Sequence, residues 1–302
     1  MNAKDILRNL LPTFALSWNR KRKKVQLRKQ LEAKRDAGSI WTAQKLVSAF
    51  KEAGIDPKKD LLVHSSLSKI GYVEGGASTV VNALLEFLQP SSTLLMPTSP
   101  VVTLQAEHHL DLYDVATTPS KMGSITEFFR SNIAMYRSAH PLEPVAAFGQ
   151  RAKEYTALHH IDATAYGVNS PWLKHMEFAG QILYLGTTLI NSGTSLHAVE
   201  DFITHEKFKF PIYLDQRRTF HVAYEGRRLD ITSTVHNPEW SRKRQCDGLI
   251  PLLEEKGCLK RIVIGEAPSL LVDAAKMKSI LLEEYAKRGV TMYTPQGSLV
   301  EF

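Results

Sequence analysis

Cysteine is nearly missing from the 302 residues: only Cys246 and Cys258 occur. Two thiols are too few for a disulfide framework, and with no cleavable signal evident they point to a reducing compartment in which both stay inert. Long apolar runs are missing too. None approaches the roughly 18 residues that a membrane span needs, which excludes a polytopic membrane protein. Metal-ligand spacing is also lacking: His108-His109 and His159-His160 are adjacent pairs whose side chains diverge in helix or strand, and no Cys or carboxylate completes a zinc set. No metal is expected. The absence of a G-x-S-x-G turn argues against an α/β-hydrolase, and the absence of helix-turn-helix, zinc-finger and RNP patterns argues against sequence-specific nucleic-acid binding.

What is present begins with an uneven charge. Residues 1–36 hold eleven Lys and Arg against three acids, so they carry +8, while the remaining 266 residues carry −1. Ile6, Leu7, Leu10, Leu11, Phe14, Leu16 and Trp18, interrupted by Pro12, precede the cations Arg20 to Lys24. That order suits a basic amphipathic arm (residues 1–40) lying at an anionic membrane surface, and equally an arm packed on its own domain or on a partner subunit. A secretory signal has its charges before the apolar core, not after it.

From residue 41 to 302 the pattern predicts one mixed-sheet α/β/α domain. Thr42 caps a helix whose apolar face is Leu46, Val47, Phe50 and Ala53, and Gly54 ends it. Leu61-Leu62-Val63 reads as a buried strand running into His64-Ser65-Ser66-Leu67, followed by a helix over Ser78 to Leu88 and a strand over Thr93 to Met96. This β-loop-α-β order implies a parallel pair whose loops gather at one sheet edge, where ligands bind. Gln181 to Leu185 and Arg261 to Ile264 read as buried strands, and Leu196 opens a helix. Phe220–Tyr224 and Leu229–Val235 flank Glu225-Gly226 as a hairpin, and a final helix over about Leu270 to Arg288 precedes Val290–Tyr293.

Two constellations carry chemistry. In Asn191-Ser192-Gly193-Thr194-Ser195-Leu196-His197-Ala198-Val199-Glu200, a polar turn follows a buried strand and His197 and Glu200 share a helix face. A neutral imidazole held by a carboxylate is suited to take a proton from an amine near pH 7, although a surface ion pair has the same spacing. The second runs from Asp114 through Thr118-Pro119-Ser120, Gly123, Glu127 and Arg130 to Arg137-Ser138-Ala139-His140-Pro141. By itself it shows only a polar loop meeting a short apolar strand.

Taken in order, five stretches resemble the aminoglycoside 3-N-acetyltransferase family over roughly residues 42 to 295. They are Val63 to Leu67; Gly75-Gly76-Ala77 with Thr79-Val80-Val81; Leu95-Met96-Pro97-Thr98; Thr118 to Pro141; and Leu185-Gly186 through Thr194 to Glu200. The resemblance implies transfer of an acyl group, normally acetyl, from acetyl-coenzyme A to an amine of a sugar-like acceptor. It implies His197 as the base, Glu200 as its orienting partner and Thr194 or a nearby N–H as donor to the thioester oxygen. Ser65, Ser66, Leu67, Gly75, Gly76, Thr98, Arg137 and Ser138 are implied on the coenzyme side, and His140, Asp114 and Glu127 on the acceptor side. Two departures stand out: Pro144 replaces the family's usual serine after His-Pro, and Val115 replaces a proline after Asp114.

A polycationic drug calls for an acidic pocket. Between His197 and Arg218, however, Glu200, Asp201, Glu206 and Asp215 are balanced by Lys207, Lys209, Arg217 and Arg218. With the basic arm, this balance favours an amino-sugar acceptor of surface polysaccharide assembly, handled by a cytoplasmic enzyme at the inner membrane face. Aminoglycoside acetylation and a noncatalytic ligand-binding role are the alternatives. The expected partners are therefore a small amino-sugar acceptor and an anionic surface at residues 1–36; self-association as a homo-oligomer is compatible with the sequence.

Overall fold

The computed structural model describes residues 13–101, 110–203 and 210–298. Ile6 to Leu11, His108, His109, Glu206, Lys207 and Lys209 lie outside these residues.

Twelve strands are present among the described residues: β1 (Ile40–Trp41), β2 (Leu61–Ser65), β3 (Tyr72–Val73), β4 (Thr93–Pro97), β5 (Tyr113–Asp114), β6 (Tyr136–Arg137), β7 (Val145–Gly149), β8 (Gln181–Leu185), β9 (Arg218–Tyr224), β10 (Arg227–Ser233), β11 (Leu259–Ile264) and β12 (Ala267–Asp273). Seven form the main sheet in the order β11-β12-β8-β2-β4-β7-β6. Its centre, β8-β2-β4, is parallel, and every flanking pair is antiparallel.

Helices cover both faces of the centre, which explains why its strands are buried at nearly every position and largely apolar instead of alternating. Leu61, Val63, Leu94, Met96, Leu183 and Leu185 pack into one core with the helices Ala43–Glu52, Ala77–Phe87 and Ser124–Asn132. Leu62, Leu95, Ile182 and Tyr184 point the other way, against Pro171–Glu177, Thr194–Phe202 and Ala274–Arg288. The predicted first helix starts as expected, with Thr42 Oγ1 accepting from Lys45 N at 3.4 Å, and Gly54 turns the chain out with φ +74°. The hairpin also forms: Glu225 and Gly226 both have positive φ, the geometry of a type I′ turn.

Two expectations fail. The last helix begins at Ala274, because Ala267–Asp273 is a strand between β11 and β8, and Asp273 caps the helix by accepting from Lys276 N. Leu270-Leu271-Val272 is a short apolar run, so periodicity alone does not separate buried strand from helix there. Arg261 to Ile264 belongs to an edge strand and not a buried one; Val263 is 62% exposed. Val290–Tyr293 is core-packed loop.

The arm is a helix, Thr13–Asp36. From Lys21 to Gln30 nearly every described side chain is exposed, and four successive cations at Lys21–Lys24 surround the axis rather than lining one face, so this part is not amphipathic. The arm touches the body at its end, where Lys34 pairs with Glu266 and Arg35 lies over the Tyr72 ring. No helix among the described residues is long and apolar enough to cross a membrane. Both cysteines are buried, and burial pushes each thiol up to about 12.

Four interior histidines give the fold an acid limit. Burial depresses His64 and His159 to about 3, His175 to about 4, and His140 well below the ordinary 6.5. As pH falls the unfolded chain takes up these protons first, so stability is full above pH 6.5 and is lost as pH drops toward the folded values. At pH 5 the loss approaches about 2 kcal/mol per ring. Urea unfolding at pH 7.5 and pH 5 should show a drop of several kcal/mol; equal stabilities would mean that the rings charge inside the fold.

Candidate active site

Strands β2 and β8 run side by side, and Ser66 N–H continues the ladder by donating to Leu185 O at 2.9 Å. The segments leaving their ends, Ser65-Ser66-Leu67 and Gly186 to Gly193, therefore emerge together at one sheet edge. Gly186 makes this exit with φ +68°, in a position where a Cβ would run into Lys69. The chain then enters the helix Thr194–Phe202, whose buried face (Leu196, Ala198, Val199) anchors it to the core.

His197 and Glu200 are both buried on that helix, with Nδ1 and Oε2 3.2 Å apart. Burial pushes the Glu200 carboxyl well above the carboxylate range and pushes His197 well below the usual imidazole value, with His236 and Arg244 adding to the latter. The ring is thus neutral. Its tautomer follows from a neighbour: Arg244 Nη1 lies 3.2 Å from Nε2. A guanidinium only donates, so Nε2 carries the lone pair and Nδ1 carries the proton, which it offers to Glu200. His197, Thr194 and Arg244 line a cleft of about 180 Å³ together with Met122, Glu143 and Tyr166. The arrangement can accept a proton at Nε2, and the first turn of the helix supplies N–H groups without intrahelical acceptors.

The serines lie at the same edge. Ser65, Ser66 and Leu67 are half-buried at the shared edge, and Gly75 and Gly76 both have positive φ as they lead into the helix Ala77–Phe87. Gly76 lies beside Leu67, so the two stretches border one surface.

Other residues singled out by sequence are engaged elsewhere. Arg137 is buried and donates to Thr98 Oγ1 and to the carbonyls of Thr98, Val115 and Thr118, bracing three segments instead of facing a phosphate. Ser138 Oγ is held by His159 Nδ1 and Val145 N. Thr98 is buried against Pro144 O. His140, fully buried, stacks on His159 and reaches Ser233 Oγ. Glu127 forks onto Arg130 and accepts from Ser120 N. Asp114 caps its own turn through the N–H groups of Ala116 and Thr117 and faces a separate groove with Arg130 and Tyr136. The structure does not bring these residues to the His197 cleft.

Sequence reasoning missed Arg244, Tyr166, His236 and Glu143. His236 stands 4.2 Å from His197 ring to ring and Tyr166 5.1 Å. No spacing connects them, since they arrive from three separate segments. Among the described residues no group of three or more His, Cys, Asp or Glu is arranged to hold a metal ion.

Comparison with known proteins gives these features a context. The profile of the family described as aminoglycoside 3-N-acetyltransferase matches residues 62–284. Aminoglycoside N(3)-acetyltransferase III of Pseudomonas aeruginosa is 30% identical over 195 residues, covering 58% of this chain and 71% of that protein. Among solved structures, AAC-IIIb in its binary complex with CoASH superposes with a TM-score of 0.68 at 22% identity, over 87% of this chain and 100% of the other. AAC-VIa bound to sisomicin gives 0.64 at 24% identity, over 80% and 95%. The chain belongs to the aminoglycoside 3-N-acetyltransferase family and is an N-acyltransferase.

Proposed function

We propose that this enzyme moves an acyl group, normally acetyl, from a coenzyme A thioester to an amine of an aminoglycoside-class acceptor, with His197 as general base. The observation that carries the reading is the buried, Glu200-held imidazole of His197, which lines a cleft bordered by the segment that follows β8. The relatives named above are aminoglycoside acetyltransferases, one solved with the coenzyme and one with an aminoglycoside. That supports a drug-like acceptor over the glycan-assembly acceptor expected from charge. The cleft holds one acid, Glu143, and one base, Arg244, so charge alone does not select between them.

The thioester supplies an acyl carbon that is already activated, which leaves alignment and a free amine to the protein. Nε2 takes a proton from the acceptor ammonium, while the Nδ1–H bond to Glu200 keeps the ring in place as it becomes charged. The freed lone pair forms the C–N bond as the C–S bond breaks. The imidazolium returns its proton to the departing sulfur, and the new amide nitrogen loses its second proton to water. Negative charge growing on the carbonyl oxygen is met by the first-turn N–H groups at Thr194. Ser65, Ser66, Gly75 and Gly76 are the residues we assign to the coenzyme: the N–H groups of Ser66 and Gly76 are taken up by Leu185 O and Val73 O, which leaves the two serine hydroxyls and the glycine turn to face it. Positioning contributes about 7–11 kcal/mol and the base about 10²–10⁴-fold.

His197→Ala should lower kcat by about 10²–10⁴-fold and leave coenzyme A affinity by calorimetry nearly unchanged. The panel for the assay pairs aminoglycosides with simple amino sugars. Undiminished turnover removes His197 from the role, and coenzyme binding without transfer to any acceptor favours the noncatalytic alternative.

The exposed cations at Lys21–Lys24, Arg28 and Lys29 support a second element of the reading, residence of the arm at an anionic bilayer face. The full chain should cosediment with vesicles rich in phosphatidylserine at low salt, and Gln at positions 21–24 should release it. Equal partitioning onto neutral vesicles would remove the membrane from the account.

A further inference from the structure

As it stands, the base is not free to take a proton. An imidazole nitrogen offers one in-plane lone pair, and that of His197 Nε2 already receives a hydrogen from Arg244 Nη1. The contact is built rather than incidental. Arg244 Nε donates to Ser241 O at 2.8 Å, which ties the guanidinium to the short helix Pro238–Ser241, and Asn237 caps that helix through Glu239 N. His236, at the start of the same segment, lies ring to ring with His197. Residues 236–244 thus wrap the imidazole from the side opposite Glu200, and the mechanism above gives Arg244 no task.

We propose that Arg244 is a positioning residue that caps the base: in the free enzyme it holds the Nε2 lone pair in the cleft, and an acceptor amine reaches His197 by taking its place. This rests on the reading of His197 as base. The cap has two physical consequences. It fixes the productive tautomer before substrate arrives, because only an unprotonated Nε2 can accept from a guanidinium. It also leaves a displaced cation near the entering ammonium, which loosens that ammonium's hold on its proton.

The test uses the full chain and two variants. Arg244→Met keeps the aliphatic stem and removes the donors; Arg244→Lys keeps a charge and a donor. Diethyl pyrocarbonate, applied without substrates and read by mass spectrometry on the peptide carrying His197, reports access to the lone pair. Modification should be about tenfold faster in Arg244→Met, the scale of one charge-assisted hydrogen bond, and Arg244→Lys should recover most of the protection. The second readout is the acidic limb of kcat/KM. Around the ring stand Glu200 on its own helix, Tyr166, His236 and Arg244, with Glu143 on the cleft wall and Asp201 beyond Glu200. Only Arg244 changes, so in Arg244→Met the limb should move to higher pH, because a cation opposing protonation is gone. If either readout stays at the parental value, the cap is refuted. Parental turnover in His197→Ala would overturn the underlying base reading instead, whatever the modification rates.

Discussion

Everything in this enzyme's cleft depends on the parallel ladder between β2 and β8. Five residue pairs, from Leu61–Gln181 to Ser65–Leu185, hold the strands in register, and Ser66 N–H adds a further bond to Leu185 O. A parallel ladder has no tight turn to set its register, so side-chain burial must do it. Slipping one strand by a residue would turn Val63 and Leu183 into the opposite core and expel His64 from between Tyr184 and Trp172. The serine segment and the histidine helix would then no longer leave the sheet side by side. The chemistry is thus positioned by apolar residues that never meet a substrate.

Much of this was legible in the chain because central strands of a doubly covered sheet are short, apolar and bounded by turns. Leu61-Leu62-Val63 and Gln181 to Leu185 have that form, and the strand-turn-helix around Asn191 to Glu200 follows from it. β12 was illegible for the same reason in reverse, since Leu270 to Val272 is an unbroken apolar run and Asp273 caps a helix just beyond. The site was legible only where its parts are local. His197 and Glu200 sit one helical turn apart, whereas Arg244 is 47 positions downstream and reaches the ring through tertiary packing alone. Arg137 shows the opposite failure. An Arg-Ser pair in a polar loop reads as a phosphate contact, yet the fold turns the guanidinium inward, where four hydrogen bonds occupy it.

At Pro144, one of the two departures from the family pattern, the backbone joins the same inward network. Pro144, in place of a serine, contributes its carbonyl, which accepts from both the N–H and the hydroxyl of Thr98. Thr98 in turn accepts from Arg137, so a position that could present a hydroxyl instead closes a chain of bonds between β4, β6 and the start of β7. This wall is polar inside, and the cleft is lined instead by Glu143, next to Pro144, and by Tyr166 from another segment.

The outermost strand of the large sheet, β11, has a further consequence. Lys260, Arg261 and Val263 face solvent along it, and Arg261 is forked onto Glu254. A lysine and a committed ion pair on a strand margin disfavour its pairing with a copy of itself, which guards this side of the sheet against the edge-to-edge stacking that unpaired ladders invite. If two molecules of this enzyme associate, β11 is a poor seam for them.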